Sequence, residues 1–194
     1  MSVTSPLSDL IIHRRSCSKL IGPGPSDEEL ETILRAGANA PDHGDLRPFR
    51  FIIFDKSNKD AFSDLLEQAL RARLDHEPTE GQLLKERSKL DRAPLVLAVV
   101  ARIQPEHKIP VIEQMLSAGA AAQNILLAAL SLHYDGIWRT GEMAYDPMIK
   151  SALGLNDHDG IVGWIYLGTA PVERVPFERD LDITDLSWVW TQAE

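Results

Sequence analysis

The chain has 194 residues, of which 44% are hydrophobic and 25% charged, a composition typical of a folded globular protein and not of a disordered one. Its net charge of −9 disfavours non-specific binding to nucleic acid or to anionic membranes. The single cysteine, Cys17, excludes an intramolecular disulfide and fits a reducing compartment. Because no apolar run approaches the roughly 18 residues of a membrane span, we expect a cytoplasmic protein without a signal peptide.

Two helices are predicted in the N-terminal part of the chain. Ser5 followed by Pro6 is typical of a helix start, and apolar residues recur at helical spacing as far as His13. Residues 26–29, Ser-Asp-Glu-Glu, form a capping-box pattern that begins a second helix. Pro41 ends that helix, and a polar loop follows it.

The middle of the chain alternates between strand and helix patterns. Residues 49–54 predict a strand, and residues 58–90 are mostly helical in pattern, with interruptions at Pro78 and Gly81. Residues 95–100 are continuously apolar and rich in β-branched side chains. This pattern predicts a strand that is covered on both faces.

The C-terminal half begins with the longest predicted helix, residues 111–134, which is rich in alanine and apolar nearly all round. We expect it to be the central buried helix. A short strand is predicted over residues 136–139, then a small helix that starts at Asp146-Pro147 and ends at Gly154. Residues 161–167 predict the last strand.

The tail, residues 171–194, is acidic and irregular in pattern and is expected to form an extended arm. Its two indoles, Trp188 and Trp190, need burial, which a partner chain would supply. Residues 1–194 show no internal repeat or clear linker, so we expect one α+β domain.

Familiar motifs for nucleotides and metals are missing from the sequence. It contains neither GxGxxG nor GxxxxGK[ST], and its six histidines form no HExxH pair, so no metal site is expected. Cys17 lies close to Arg14-Arg15, an electropositive setting that favours a nucleophilic thiol. The alternative is an unreactive residue at the end of a helix.

Three polar clusters are candidates for binding. The first, His13 to Ser16, contains two guanidinium groups and a hydroxyl that suit a phosphate dianion, or else complement the C-terminus of the first helix. The second is the loop over residues 40–49, which two prolines and a glycine constrain; an ordinary surface loop is the alternative. The third is residues 136–141, where Arg139 could contact a phosphate and the flanking glycines allow the backbone to approach a flat ligand. Trp138 is either a core residue or part of the wall of that site.

Together these segments resemble the FMN-dependent nitroreductase family, over most of the chain. The closest similarity is to its minimal bacterial branch, whose members are provisionally described as NAD(P)H nitroreductases. Each segment alone is a weak signal of the family, but the whole set, in this order and at these separations, is a specific one. The segments are Arg14-Arg15-Ser16, Ala40-Pro41-Asp42-His43 leading to Pro48-Phe49-Arg50-Phe51, the Ala-rich helix, Gly136-Ile137-Trp138-Arg139, and Ile161-Val162-Gly163 to Gly168-Thr169.

The resemblance implies an α+β fold with a central mixed or antiparallel sheet flanked by helices, in an interlocked homodimer with FMN at the subunit interface. It implies an enzyme in which the flavin takes hydride from NADH or NADPH and passes electrons to a nitroaromatic, a quinone or a related acceptor. Because the flavin carries this chemistry, we assign no catalytic side chain. The choice between NADH and NADPH and the physiological acceptor stay open.

The resemblance also implies a role for individual residues. Arg14 and Ser16 would contact the phosphate and ribityl chain of FMN, with Arg15 beside them. Asn39 and His43 would come from the opposite chain, and Asn39 stands where the branch has a larger basic residue. His43 would protonate a reduced product or be a structural loop histidine.

On the other flank of the cofactor, the resemblance implies contacts from Ile137, Trp138 and Arg139. The sequence departs from the family pattern at Ser18, where a basic residue commonly reaches the pyrimidine edge of the flavin. The segment over residues 75–90 is short, so we expect a small lid or none. A flavin-delivery protein with little turnover, a reductive dehalogenase and a flavin-degrading enzyme of the same fold remain as alternatives.

Overall fold

The structure is a computed structural model that describes residues 5–172 and 182–190. The predicted C-terminal arm therefore lies partly outside the described residues, at 173–181 and 191–194. The helices are α1 (Pro6–His13), α2 (Asp27–Ala38), α3 (Lys59–Arg73), α4 (Glu80–Arg87), α5 (Val111–Ser131) and α6 (Pro147–Ala152). The strands are β1 (Phe49–Phe54), β2 (Leu95–Ala101), β3 (Asp135–Arg139) and β4 (Gly160–Gly168).

The four strands form one antiparallel sheet in the order β1-β2-β4-β3. At one end of β2, Leu95 lies opposite Leu167 of β4, which in turn lies opposite Gly136 of β3. At the other end, Ala101 lies opposite Phe49 of β1. Strand β2 is thus at the centre of the sheet, and all seven of its residues are buried, as the continuous apolar pattern predicts.

Helices cover both faces of the sheet. Alternate residues of β2 point to opposite faces and enter different hydrophobic clusters. One cluster joins Val96, Ala98 and Val100 to α3 and α6, and the second joins Leu95, Leu97 and Val99 to α2 and α5. The aromatic centre of the first cluster comprises Phe54, Phe62, Trp164 and Tyr166.

The predicted strands agree with the structure to within one residue at each end, but two predictions about helices need correction. The longest helix ends at Ser131 and not at residue 134, because His133 adopts a left-handed conformation (φ 67°) and the Tyr134 N–H bonds to the Ala129 carbonyl. The break before α4 is confirmed, but Gly81 does not interrupt a helix. It lies inside the first turn of α4.

Helix α1 is unusual because none of its residues is buried. The Ser5 N-cap and Pro6 in the first turn confirm the predicted helix start, and the Ser8 side chain completes a capping box with Ser5. Its apolar Leu7 and Ile11 face solvent in the single chain. Within the two described ranges, no helix has the length and apolarity that a membrane span requires.

Candidate functional site

The first and third polar clusters meet at the free edge of the sheet. The backbone N–H of Cys17 donates to the carbonyl of Gly136 over 3.0 Å, which brings the segment after α1 alongside the start of β3. Arg14 is half-buried at the end of α1, while Arg15 and Ser16 are exposed. The segment that carries two arginines and a serine thus runs beside the start of β3, although about 120 residues separate the two clusters in the sequence.

Side chains of β3 alternate between the two faces of the sheet. Ile137 packs with the α3-side cluster, and Arg139 shares that face because strand residues two apart point the same way. Trp138 packs instead with the α5-side cluster. Its Nε1 donates to the carbonyl of Val162 over 3.2 Å, and its ring lies over Gly163. The half-buried side chain of Trp138 therefore packs against the core and not along the outer edge of the sheet.

Arg139 carries a donor that the structure leaves unsatisfied. Its Nε is buried and has no hydrogen-bond partner in the described part of the chain. A buried guanidinium N–H without a partner costs free energy, and an anion bound beside it would remove that cost. Nearby, burial raises the pKa of Tyr166 to about 12.

The loop of the second cluster is bent sharply and held by its own side chains. Asp45 and Arg47 both have positive φ, 53° and 51°, which is uncommon for residues other than glycine. The Arg47 guanidinium pairs with both carboxylate oxygens of Asp45, and its backbone N–H donates to Asp42. Nδ1 of His43 lies 2.6 Å from a carboxylate oxygen of Glu113, which fastens the loop to the first turn of α5.

Asn39 lies at the C-terminus of α2, just before this loop. Its side-chain amide donates to the carbonyl of Arg35 over 2.7 Å, and its backbone N–H caps the same helix. The side chain is exposed. A cavity of about 310 Å³ lies nearby, lined by His43 and Glu113 together with Leu116 of α5.

In one chain, the two groups of predicted site residues lie at opposite ends of the sheet. Gly136, next to Arg14–Ser16, is aligned with Leu95, whereas the loop of His43 leads into Phe49, opposite Ala101. These ends of β2 are about 20 Å apart at the usual rise per residue. The structure therefore brings Arg14, Arg15 and Ser16 together with β3, and leaves Asn39 and His43 at a distance.

Sequence reasoning missed the partners of two polar groups. Glu113 holds His43 across 70 positions of sequence, and Arg73 of α3 bridges Glu142 and Asp146 in the segment after β3. No local motif signals such pairs, because they form only when helices pack against loops. In the described ranges, no three His, Cys, Asp or Glu residues are grouped so as to hold a metal ion.

Comparison with known proteins identifies the family. The sequence profile of the nitroreductase family matches residues 11–169. A protein of Escherichia coli K12, provisionally named NAD(P)H nitroreductase YdjA, is 41% identical over 162 residues, which cover 83% of this chain and 86% of the relative. The chain belongs to the nitroreductase family. Membership of this family makes it an oxidoreductase and confirms the resemblance drawn from the sequence.

Solved structures of nitroreductases have the same fold. A nitroreductase-like protein from Bacillus cereus is 21% identical, with a TM-score of 0.78 and coverage of 98% of both chains. A nitroreductase from Bacteroides fragilis, solved with bound FMN, is 21% identical, with a TM-score of 0.70 over 96% of this chain and 100% of the other. The predicted α+β nitroreductase-like fold is thus confirmed.

Proposed function

We propose that this nitroreductase family member is an FMN-dependent enzyme that takes hydride from NADH or NADPH and reduces a nitroaromatic, a quinone or a related acceptor. The relative from E. coli has NAD(P)H nitroreductase in its name, and the Bacteroides structure contains FMN. The observation that carries the proposal is that the segment Arg14–Ser16 lies alongside the start of β3, the strand that ends at Arg139 with its unpaired, buried Nε. The free thiol of Cys17 fits the cytoplasm, the proposed compartment.

The donors at this edge of the sheet fit the phosphate of FMN. Guanidinium groups hold phosphate oxygens through forked, charge-assisted hydrogen bonds, and a hydroxyl adds another donor. We assign Arg14 and Ser16 to the phosphate and ribityl chain, with Arg15 beside them. Arg139 would give its unsatisfied N–H to the cofactor from the β3 side, next to Ile137. Trp138 would contribute through its backbone, because its side chain packs on the other face.

The bound FMN would supply the hydride and electron transfer, while the chain's own residues bind and orient it. We assign a further donor role to the backbone directly after β3. Gly141 in this segment has φ 80° and ψ −178°, a conformation that is essentially restricted to glycine. A Cβ there would meet no atom within 4 Å, so the glycine is required for the direction of the backbone and not for packing.

A homodimer is part of the proposal. Several large apolar side chains are exposed in the single chain, including Ile112 (63%) and Leu116 (64%) of α5 and Leu7 (64%) of α1. In the tail, Trp188 and Trp190 are 84% and 77% exposed. Exposed apolar surface of this extent on a monomer marks an interface. A second copy of the chain would cover it.

A dimer would also explain why the predicted site residues lie apart in one chain. We propose that Asn39 and His43 complete the FMN site of the second copy, approaching it with the loop that His43 and Glu113 fasten to α5. The exposed Leu116 lines the cavity beside His43, so the proposed interface and this loop are continuous. Each FMN would then contact Arg14–Ser16 and β3 from one chain, and Asn39 and His43 from the other.

Titration with FMN and with riboflavin tests the cofactor assignment, because riboflavin lacks only the phosphate. We expect purified protein to be yellow, or to bind added FMN much more tightly than riboflavin. Equal affinity for the two flavins would contradict the assignment of the cationic cluster. Oxidation of NADH and NADPH, followed with a quinone and with a nitroaromatic, separates the proposed enzyme from a flavin-delivery protein, which would bind FMN without turnover.

A further inference from the structure

A cavity of about 520 Å³ opens between α3 and residues 142–148. Its walls are mostly apolar with a few charged groups, which is the usual character of small-molecule sites of about 300–1,000 Å³. None of its side chains has a role in the proposed function. The residues that line it include Ala72 and Arg73 of α3, together with Glu142, Tyr145, Asp146 and Met148.

The charged groups of this cavity carry an excess of negative charge. Nη2 of Arg73 lies 2.9 Å from a carboxylate oxygen of Glu142, and Nη1 lies 3.3 Å from an oxygen of Asp146. Arg73 is the only cation among the described residues that line the cavity. One guanidinium against two carboxylates leaves one negative charge in excess, so the cavity attracts cations and disfavours anions.

The two carboxylates differ in what they offer to a ligand. Asp146 is buried, and its second oxygen accepts the backbone N–H groups of Met148 and Ile149 at the start of α6. Its hydrogen-bonding capacity is therefore used by the fold. The side chain of Glu142 is 71% exposed, and its one ion-pair partner among the described residues is Arg73. The carboxylate of Glu142 is thus the group that a second cation can reach.

The apolar part of the wall includes an exposed aromatic ring and a flexible thioether. Tyr145 is 74% exposed and Met148 is 38% exposed, so both present surface to a ligand. The face of an aromatic ring attracts a cation, and a methionine side chain adapts its shape to the molecule it contacts. These two side chains therefore suit a ligand that joins a positive charge to an apolar body.

We propose that this cavity binds an organic ammonium ion with a compact apolar body, such as an arylalkylamine. The ammonium group would pair with Glu142 and lie against the ring of Tyr145, while the apolar body would contact Ala72 and Met148. A neutral molecule of the same shape would lose the ion pair, and a carboxylate would be repelled. The site does not require bound FMN, because none of its side chains is assigned to the cofactor.

Amide chemical shifts of the purified full-length protein test the site with three probes of matched size. These are 2-phenylethylamine, which is a cation at neutral pH, neutral 2-phenylethanol, and 3-phenylpropanoate, which is an anion. We expect saturable shifts of the Tyr145 and Met148 amides with the amine. The alcohol should bind about tenfold more weakly, and the carboxylate more weakly still.

Two variants separate the charge of the site from its shape. Glu142→Gln keeps the shape and removes the charge, so the amine should bind only as tightly as the alcohol, whose own affinity stays unchanged. Glu31→Gln, which removes an exposed carboxylate paired with Arg35, is the matched control and should leave binding unchanged. Ala72→Trp fills the cavity and should weaken amine and alcohol alike, whereas Ala61→Trp, at an exposed position near the start of α3, should weaken neither.

Three results would overturn the proposal. The first is an absence of shifts at the Tyr145 and Met148 amides up to the highest soluble concentration of the amine. The second is equal affinity for the amine and the alcohol, which would show an apolar cavity without charge selection. The third is a shift of the same amides, without any probe, when Trp188 and Trp190 are changed to serine, which would identify the tail of a second copy as the occupant.

Discussion

Arg14 is the residue on which the proposed phosphate contact depends most directly. Arg14→Ala removes a guanidinium from the end of α1, and a hydrogen bond to a charged group contributes about 1.5–3 kcal/mol. We therefore expect FMN to bind about ten- to a hundredfold more weakly, while riboflavin, which lacks the phosphate, loses much less affinity. Fluorescence titration of both flavins measures this. Arg35→Ala, which removes an exposed guanidinium paired with Glu31, is the control. An equal loss for both flavins would show that Arg14 does not contact the phosphate.

Gly163 is the position where a single methyl group would disturb the sheet most. An added Cβ would lie 1.9 Å from Nε1 of Trp138, whose ring is held by its hydrogen bond to Val162. Because overpacking of a core costs about 1–3 kcal/mol, Gly163→Ala should lower the free energy of unfolding by that amount. Urea denaturation followed by circular dichroism measures the change.

The matched glycine is Gly81, which lies in the first turn of α4 with no atom within 4 Å of an added Cβ. Gly81→Ala should leave stability unchanged or raise it by up to about 1 kcal/mol, because alanine loses less backbone entropy on forming a helix. If both variants were equally stable, Trp138 would not be fixed over Gly163.

At the scale of elements, Lys59 joins the start of α3 to the two residues that precede β2. Its side chain is buried, and its ammonium group donates to the carbonyls of these residues, Ala93 and Pro94. Burial lowers the pKa of Lys59, so desolvation offsets part of what these hydrogen bonds contribute. Lys59→Met leaves both carbonyls without this donor and should lower the free energy of unfolding by about 1–2 kcal/mol in urea denaturation.

Lys56→Met is the control for this element contact, since Lys56 is exposed three residues earlier in the chain. We expect its unfolding free energy to change by less than about 0.5 kcal/mol. A similar loss in both variants would mean that removal of positive charge, and not the contact between α3 and β2, determines the result.

At the scale of the whole molecule, the proposed dimer makes each FMN site depend on two chains. Arg14→Ala damages one side of a site, and the pair Asn39→Ala and His43→Ala damages the other. In a mixed dimer of these variants, one site carries both lesions and the other carries none. Co-refolding should therefore restore about half of the FMN content and NAD(P)H oxidation per mixed dimer, relative to unmixed controls that retain little FMN.

Light scattering and mass spectrometry provide the controls for the mixing experiment. The unmodified protein should have twice the chain mass of 21.6 kDa. A monomer mass would contradict the dimer itself. Mixed dimers that form without any recovery would show that each site belongs to a single chain.

The sequence by itself determined the elements whose signals are local. The Ser26–Glu29 capping box forms as predicted, and the apolar run over residues 95–100 becomes a strand buried on both faces. Both follow from short-range periodicity and hydrogen bonding, which neighbouring residues express without the rest of the fold. The three candidate clusters and the family resemblance were also readable from the chain, because their residue types and order are properties of the sequence.

Only the tertiary structure decided which face each residue takes and which distant groups meet. Trp138 packs against the core because Gly163 of β4 leaves room for its ring, and α5 ends where it does because of the left-handed turn at His133. The pairing of His43 with Glu113 likewise requires a loop to pack on a helix. These are long-range contacts, whose partners are chosen by packing, so no local pattern in the sequence encodes them.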